Sequence, residues 1–194
     1  MNLEKLKISD NLLRKNYYRS ALPRSQGPSA SLKKFHRYIL NRNFKIHTVL
    51  DYGAGNRRDE AFCLEHYGNY VPHDIARVFH INQPKEVLEK PYNLVIFNYI
   101  LNILIPEDRS LIIDEINEYL SKDSVILVSV RTIDDSREIK PSWIKYEDGW
   151  VTSRLTFQHF FSKLELFELF SKNAKEIINL GRGAIVLFPK VLKS

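Results

Sequence analysis

The chain has one cysteine, Cys63, among 194 residues, which excludes an intramolecular disulfide and fits a reducing compartment. Its longest apolar runs, such as 94–97 and 184–188, fall far short of the roughly 20 residues that a membrane helix needs. The opening Met1-Asn2-Leu3-Glu4-Lys5 lacks the cationic, apolar pattern of an export signal. A cytoplasmic protein with no membrane partner is expected. Internal repeats and low-complexity stretches are absent. The six histidines, at 36, 47, 66, 73, 80 and 159, show no metal-ligand spacing with cysteine, so no metal site is expected.

Hydrophobic residues make up 44% and charged residues 27%, values at which a chain of this length buries its own core. The net charge of +6 is unevenly placed. Residues 1–50 hold eleven Lys/Arg against Glu4 and Asp10, a surplus of +9 that leaves the remainder at −3. Tyr17, Tyr18, Phe35 and Tyr38 are interleaved with those cations. Such a basic arm suits a nucleic-acid backbone, and a solvated helical face explains it equally well.

Residues 3–18 read as a helix with Leu3, Leu6, Leu12 and Leu13 on its apolar side, followed by a Pro/Gly/Ser loop over 20–31. Ser29 or Ser31 then caps a helix to about Asn41, with Leu32, Phe35, Ile39 and Leu40 on one face. A strand over 47–51 is stopped by Gly53, and a helix over about 59–67 follows. The next strand, 70–74, contains Pro72, which cannot donate to a ladder and so places the strand at an edge or ends it early. Residues 75–91 number only 17, too few for a helix plus a further strand, so the third strand is expected to be short or missing. A buried strand over 93–99, a helix over 106–120 opened by Pro106 and a strand over 124–130 come next. A polar excursion spans 131–156, and Ser162-Lys163-Leu164-Glu165 is a capping box for a last helix. Residues 175–180 and 184–189, joined by Gly181-Arg182-Gly183, read as a closing hairpin. This order predicts an α/β, Rossmann-like domain: a mostly parallel sheet of about six strands, the first one central, with an antiparallel hairpin at one edge.

The stretch VLDYGAGNRRDE, residues 49–60, carries the chemistry. Asp51 ends an apolar strand, and Gly53 and Gly55 follow before a helix. Glycine lets the backbone approach a ligand with no Cβ in the way, and ligands of open α/β sheets sit at such turns. A dinucleotide fingerprint would place a third glycine at position 58, where Arg58 stands, and no Gly-Lys-Ser/Thr P-loop is present. The remaining acidic-x-Gly-x-Gly pattern resembles motif I of methyltransferases that use S-adenosylmethionine (SAM). Asp74, 19 residues beyond Gly55, suits hydrogen bonds from ribose hydroxyls. A tight strand-to-helix turn with a surface Asp74 is the purely structural alternative.

Two further strings, YILNIL at 99–104 and TSRLTFQHFFSKLEL at 152–166, extend the likeness. Together with VLDYGAG they are similar to the DNA phosphorothioation-associated methyltransferase group over about residues 47–190. The matches are Asp51, Tyr52, Gly53, Gly55, Asp59 and Asp74, then Tyr99, Leu101, Asn102, Arg109 and Arg131. The last set is Thr152, Ser153, Arg154, Thr156, Phe157, Gln158 and Phe160. Arg57 and Leu155 stand where that group has glycine. The resemblance implies a class I methyltransferase fold, SAM as cofactor and a link to DNA modification. Cofactor contacts are expected from Asp51, Gly53, Ala54, Gly55, Asp59, Asp74 and Asn98, with Arg57 narrowing the turn or adding a carboxylate contact. A basic helical extension over 1–45 is expected to cover the cofactor cleft of a SAM-binding domain over 46–194.

Transfer from a sulfonium demands mainly alignment and exclusion of water, with a general base only for a poor nucleophile. Phe97-Asn98-Tyr99-Ile100 lacks the paired prolines that amino-methylating nucleic-acid enzymes carry there, so base N-methylation by that arrangement is not supported. Asn98, Tyr99 and Asn102 are the candidates to face the methyl group; core or helix-start roles are the alternative. Cytosine C5 methylation needs a cysteine nucleophile, and Cys63 lies mid-helix, where a buried structural thiol is expected. Arg24, Arg131, Arg154 and Gln158 are candidates to hold substrate through a phosphate or base edge. The function expected is methyl transfer from SAM to an unidentified acceptor, nucleic acid (DNA) first. A catalytically silent nucleic-acid- or protein-binding module and a small-molecule or protein methyltransferase are the rivals.

Overall fold

The computed structural model describes residues 8–74 and 91–190. In chain order the elements are α1 (Asp10–Arg14), α2 (Ala30–Leu40), β1 (Thr48–Tyr52), α3 (Glu60–His66), β2 (Asn69–His73), β3 (Tyr92–Asn98), α4 (Pro106–Glu118) and β4 (Leu120–Ser129). They continue with β5 (Ile144–Tyr146), β6 (Gly149–Val151), β7 (Phe157–Gln158), α5 (Lys163–Ser171), β8 (Ala174–Gly181) and β9 (Ala184–Pro189). Six strands form the main sheet in the order β2-β1-β3-β4-β9-β8, the first four parallel and the last two antiparallel. Strand β1 is interior, flanked by β2 and β3, but the middle of the six falls between β3 and β4. Only β2 lies beyond β1 among the described residues, with Pro72 on that outer strand. The short or missing third strand was expected within 75–91, and residues 75–90 of that stretch lie outside the described ones.

The period-2 alternation of strands puts apolar side chains on both faces of the sheet, so both must be covered. Val49, Leu94, Ile96, Val125 and Leu127 pack against Leu32, Phe35 and Ile39 of α2 and Cys63 of α3. Their neighbours Leu50, Val95, Phe97, Ile126 and Val128 pack on the opposite face against Ile112, Ile113 and Ile116 of α4 and Leu166 and Phe170 of α5. Each such side chain contributes about 1.5–3 kcal/mol when fully buried. Helix α2 is therefore one layer of the main domain. Its cap is Ser29, whose Oγ accepts from the Leu32 N–H at 3.3 Å. Ser162 and Glu165 form the reciprocal capping box of α5, and Pro106 occupies the first position of α4.

Two regions differ from the sequence expectation. Over the described part of the helix expected at 3–18, from residue 8 on, α1 covers five residues, and 3-10 turns follow at Tyr17–Ser20 and Arg24–Gln26. Tertiary contacts hold this strap: the Tyr17 hydroxyl donates to Asp108 Oδ2 at 2.7 Å, and the Arg14 guanidinium grips Asp108 and Glu107, each at 2.7 Å. Leu3 and Leu6 lie outside the described residues. The polar excursion over 131–156, together with the two residues that follow it, builds a second antiparallel sheet in the order β5-β6-β7. Val151, Leu155 and Phe157 of that region pack with Leu13 and Ile105 in a small core of their own. No helix among the described residues is long and apolar enough to cross a membrane.

Candidate functional site

The turn after β1 is fixed by the end of β2. The Gly53 and Ala54 N–H groups both donate to the His73 carbonyl, at 2.8 and 2.9 Å, and the Gly55 N–H donates to Asp74 Oδ2 at 2.8 Å. Gly53 has φ +82°, and a Cβ there would collide with Ile100. At Gly55, φ +47°, a Cβ would stand 3.0 Å from the Cβ of Ala21 in the strap. The strap thus runs directly over the turn. Between them opens a cleft of about 740 Å³, including space open to solvent. Asp51, Gly53, Ala54, Gly55, Asp59, Asp74 and Asn98 all line it, and Tyr17, Tyr18 and Ser20 form part of its wall.

The cleft is acidic. Among the described residues, three carboxylates, Asp51, Asp59 and Asp74, face a single lining cation, Arg58, whose Nε already donates to the Gly27 carbonyl at 3.0 Å. Burial pushes the Asp51 carboxyl up to about 8, the neighbouring Asp59 charge adds to the rise, and the hydrogen bond from Tyr70, 2.5 Å long, opposes it. Asp59 accepts from the Ser29 N–H at 2.6 Å, the Ser29 hydroxyl at 3.1 Å and Asn98 Nδ2 at 3.1 Å. Asn98 Nδ2 also donates to Ser29 Oγ at 3.0 Å. Its Oδ1 accepts from the hydroxyls of Ser129, at 2.6 Å, and Ser31, at 3.2 Å. Asn98 is thus a strut joining β3, β4 and the N-termini of α2 and α3, with its amide already occupied. The surplus of carboxylates and the Cβ-free turn fit a cationic cofactor with a ribose, as SAM has.

Arg57 does not line this cleft; it has φ +55°, and its Nη1 lies 3.9 Å from Glu60 Oε1. Leu155 has φ +59° in the tight loop from Thr152 to Thr156, where its N–H donates to the Thr152 carbonyl at 2.9 Å. Both departures from the glycines of the resembling group therefore fall on left-handed backbone, where glycine is the unstrained residue. Narrowing of the cofactor turn by Arg57 is not what the geometry gives.

A second, larger cleft joins the first through Ser20, Ser29, Arg58 and Tyr99, which line both. Tyr99, at φ +59°, donates its N–H to the Ser129 carbonyl at 2.7 Å, and burial pushes its phenol up, with Asp135 adding to the shift. Asn102, Gln158, Arg131 and Arg154 line the larger cleft. Asn102 Nδ2 donates to Gln158 Oε1 at 3.4 Å. Arg131 is held by Glu138 at 2.7 Å. Arg24 lines neither cleft, because its guanidinium pairs with Glu60. Cys63 is buried, and burial raises its thiol far above the ordinary range, which suits packing rather than nucleophilic attack.

Two features escaped sequence reasoning. Ser20 read as loop, yet it stands where the clefts meet. Arg109, buried beneath Phe157 and Phe161, donates to the Leu101 carbonyl at 3.1 Å and pairs with Asp148. His159 bridges the Asp148 carbonyl at 2.8 Å and Glu165 Oε1 at 2.7 Å. This network ties the second sheet to α4 and α5 and so holds Gln158 in place. Asp148, His159 and Glu165 gather closely enough to hold an ion, but Arg109 and the α5 cap already engage their carboxylates. Only the pattern of Arg109 with TSR-x-TFQ in the resemblance signalled the network.

No protein-family model matches the sequence, and no curated protein matches it. Solved structures match in fold. A Pyrococcus horikoshii protein, PH0226, superposes with a TM-score of 0.62 at 18% identity, covering 91% of this chain and 99% of its own. The Burkholderia thailandensis 1,6-didemethyltoxoflavin-N1-methyltransferase, bound to 1,6-didemethyltoxoflavin and S-adenosylhomocysteine, gives 0.60 at 16% identity over 96% and 92%. The sugar N-methyltransferase KedS8 from Streptoalloteichus gives 0.65 at 10% identity over 95% and 94%. The chain has the Rossmann-like methyltransferase fold.

Proposed function

We propose that the chain is a SAM-dependent methyltransferase that holds its cofactor between the glycine turn and the strap and receives its acceptor from the larger cleft. The observation that carries this reading is the meeting of three carboxylates and the Gly53–Gly55 turn in one cleft that opens, at Tyr99 and Ser20, into a second. Asp74 would meet the ribose hydroxyls and Asp59 the positive methionine end. Asp51, which burial keeps protonated near neutral pH, would give up its proton only as that positive end approaches. Bound SAM supplies an activated methyl group. The chain's own residues align the acceptor and exclude water: Tyr17 and Tyr18 wall the cleft, and Tyr99 stands at the passage to the acceptor side.

The acceptor is read as anionic, because cations gather at the larger cleft. This reading keeps nucleic acid, DNA first, as an acceptor, but moves its contact from the N-terminal arm to the cleft. Arg14, Arg24 and Arg42 of the arm are engaged by Asp108, Glu60 and Glu176. The sugar N-methyltransferase and the 1,6-didemethyltoxoflavin-N1-methyltransferase of the same fold support a small-molecule acceptor instead. A silent module draws its support from Arg57 and from the absence of a recognisable catalytic motif; the first of these weakens, because Arg57 does not line the cleft. Calorimetric titration with SAM and with S-adenosylhomocysteine tests the proposal, and micromolar binding, about 8 kcal/mol, is expected. A folded sample that binds neither overturns it.

A further inference from the structure

Three buried side-chain polar atoms have no hydrogen-bond partner among the described residues: Ser20 Oγ, Asn102 Oδ1 and the Tyr38 hydroxyl. Two of them belong to residues that line the larger cleft. Buried acceptors are rarely left unpaired, and beside a cleft the missing donor comes from an ordered water or from a ligand that displaces it. Asn102 is 2% exposed, and its amide lies against that of Gln158, whose Nε2 also makes no hydrogen bond among the described residues. The pair therefore offers one acceptor and one donor side by side.

The walls around that pair carry charge of one sign. Eight basic side chains line the larger cleft against two acidic ones, Asp135 and Glu138. Arg137, Lys140, Arg154 and Arg182 make no ion pair among the described residues. Trp143 and Tyr99 add aromatic faces. Inorganic phosphate or a simple carboxylate would satisfy the cations but has no aromatic face for Trp143 and Tyr99 and no planar donor–acceptor edge for the Asn102–Gln158 pair. A nucleobase has both a donor and an acceptor on one edge, a face that stacks on aromatic rings, and a phosphate attached through its sugar.

We infer that the larger cleft is a nucleoside-phosphate subsite, with the base edge read by Asn102 and Gln158 and the phosphate held by the unpaired cations of the rim. This names the acceptor class for the methyl transfer proposed above and rests on that reading for the reaction, but not for the binding. The nucleotide has two sources, a free mononucleotide or a single strand.

The chain has two tryptophans, so Trp150→Phe leaves Trp143, in the cleft, as the sole reporter. Fluorescence titrations without cofactor compare AMP, ribose 5-phosphate, inorganic phosphate and a deoxyadenosine oligonucleotide. AMP is expected to bind at least tenfold more tightly than ribose 5-phosphate. Asn102→Ala and Gln158→Ala should reduce that preference to within about twofold while ribose 5-phosphate binds as before. Arg154→Ala should weaken every phosphate ligand and flatten the salt dependence. An oligonucleotide bound tenfold more tightly than AMP supports the strand source, and one bound no better supports the free nucleotide. Equal binding of AMP and ribose 5-phosphate to the Trp150→Phe protein, or no binding of either, overturns the inference with no reliance on the amide variants. Because cofactor is absent, either result is separate from failure to bind SAM.

Discussion

The two clefts share a wall and differ in almost everything else. In the smaller one the polar groups are knitted together: Asn98 has its whole amide engaged, Asp59 takes three hydrogen bonds, and the turn is fixed by the end of β2. Its surplus charge is negative. In the larger cleft the surplus is positive, several cations have no ion pair among the described residues, and one buried amide oxygen has no partner there. The contrast separates a site built to hold one constant ligand from a site whose polar groups are completed by what enters. Rigidity in the first costs the protein strain and buried charge; the second keeps its cations in solvent, where an unpaired charge is only weakly unfavourable.

Substitutions should divide along the same line. Gly53→Ala carries the largest expected effect, a loss of about 2 kcal/mol or more in denaturant unfolding together with SAM binding, because the new Cβ meets Ile100 on left-handed backbone. Asp51→Ala and Asp74→Ala should each weaken SAM at least tenfold, about 1.4 kcal/mol, by calorimetry. Unchanged affinity in both would remove the cofactor from this cleft. The pH dependence of unfolding comes third. With the Asp51 carboxyl raised from 3.8 to about 8, the folded state keeps a proton that the unfolded chain has lost between those values. Stability is therefore highest at the acid end of that window and falls as pH rises towards about 8, by at most about 1.4 kcal/mol per pH unit. Asp51→Asn should flatten the slope, and an unaltered slope in that variant would show that another group causes it.

Arg57→Gly should stabilise by about 0.5–1 kcal/mol, since relief of left-handed strain outweighs the added entropy of the unfolded chain. SAM affinity should stay within about twofold, and a larger change would put Arg57 back at the cofactor. Smallest of all, Arg137→Ala in the larger cleft should shift stability by no more than about 0.5 kcal/mol.

Much of the smaller cleft was legible because its parts are adjacent in sequence or end neighbouring strands. Gly53, Gly55 and Asp74 are tied by local backbone geometry, and helix caps at Ser29 and Ser162 obey short-range rules. Asn98 was expected to touch ligand, yet its partners come from α2, β4 and the start of α3, which no local pattern reveals. The larger cleft was read only in pieces. Gln158 and Asn102 are 56 residues apart and meet because β7 packs beside the turn after β3.

Periodicity, capping and backbone freedom act within a few residues, and they were enough to set the alternating strands and helices, the glycine turn and the acidic residues beside it. Contacts between distant segments settled the rest. From residue 15 on, the expected N-terminal helix gives way to a strap because burying Tyr17 and pairing Arg14 with Asp108 outweigh the local preference for helix. The polar excursion became a sheet because Val151, Leu155 and Phe157 found Leu13 and Ile105, distant in the chain, to cover them. Which cations end up paired and which face an open cleft is likewise a property of the folded surface, because partners such as Arg24 and Glu60 are assigned by proximity in space.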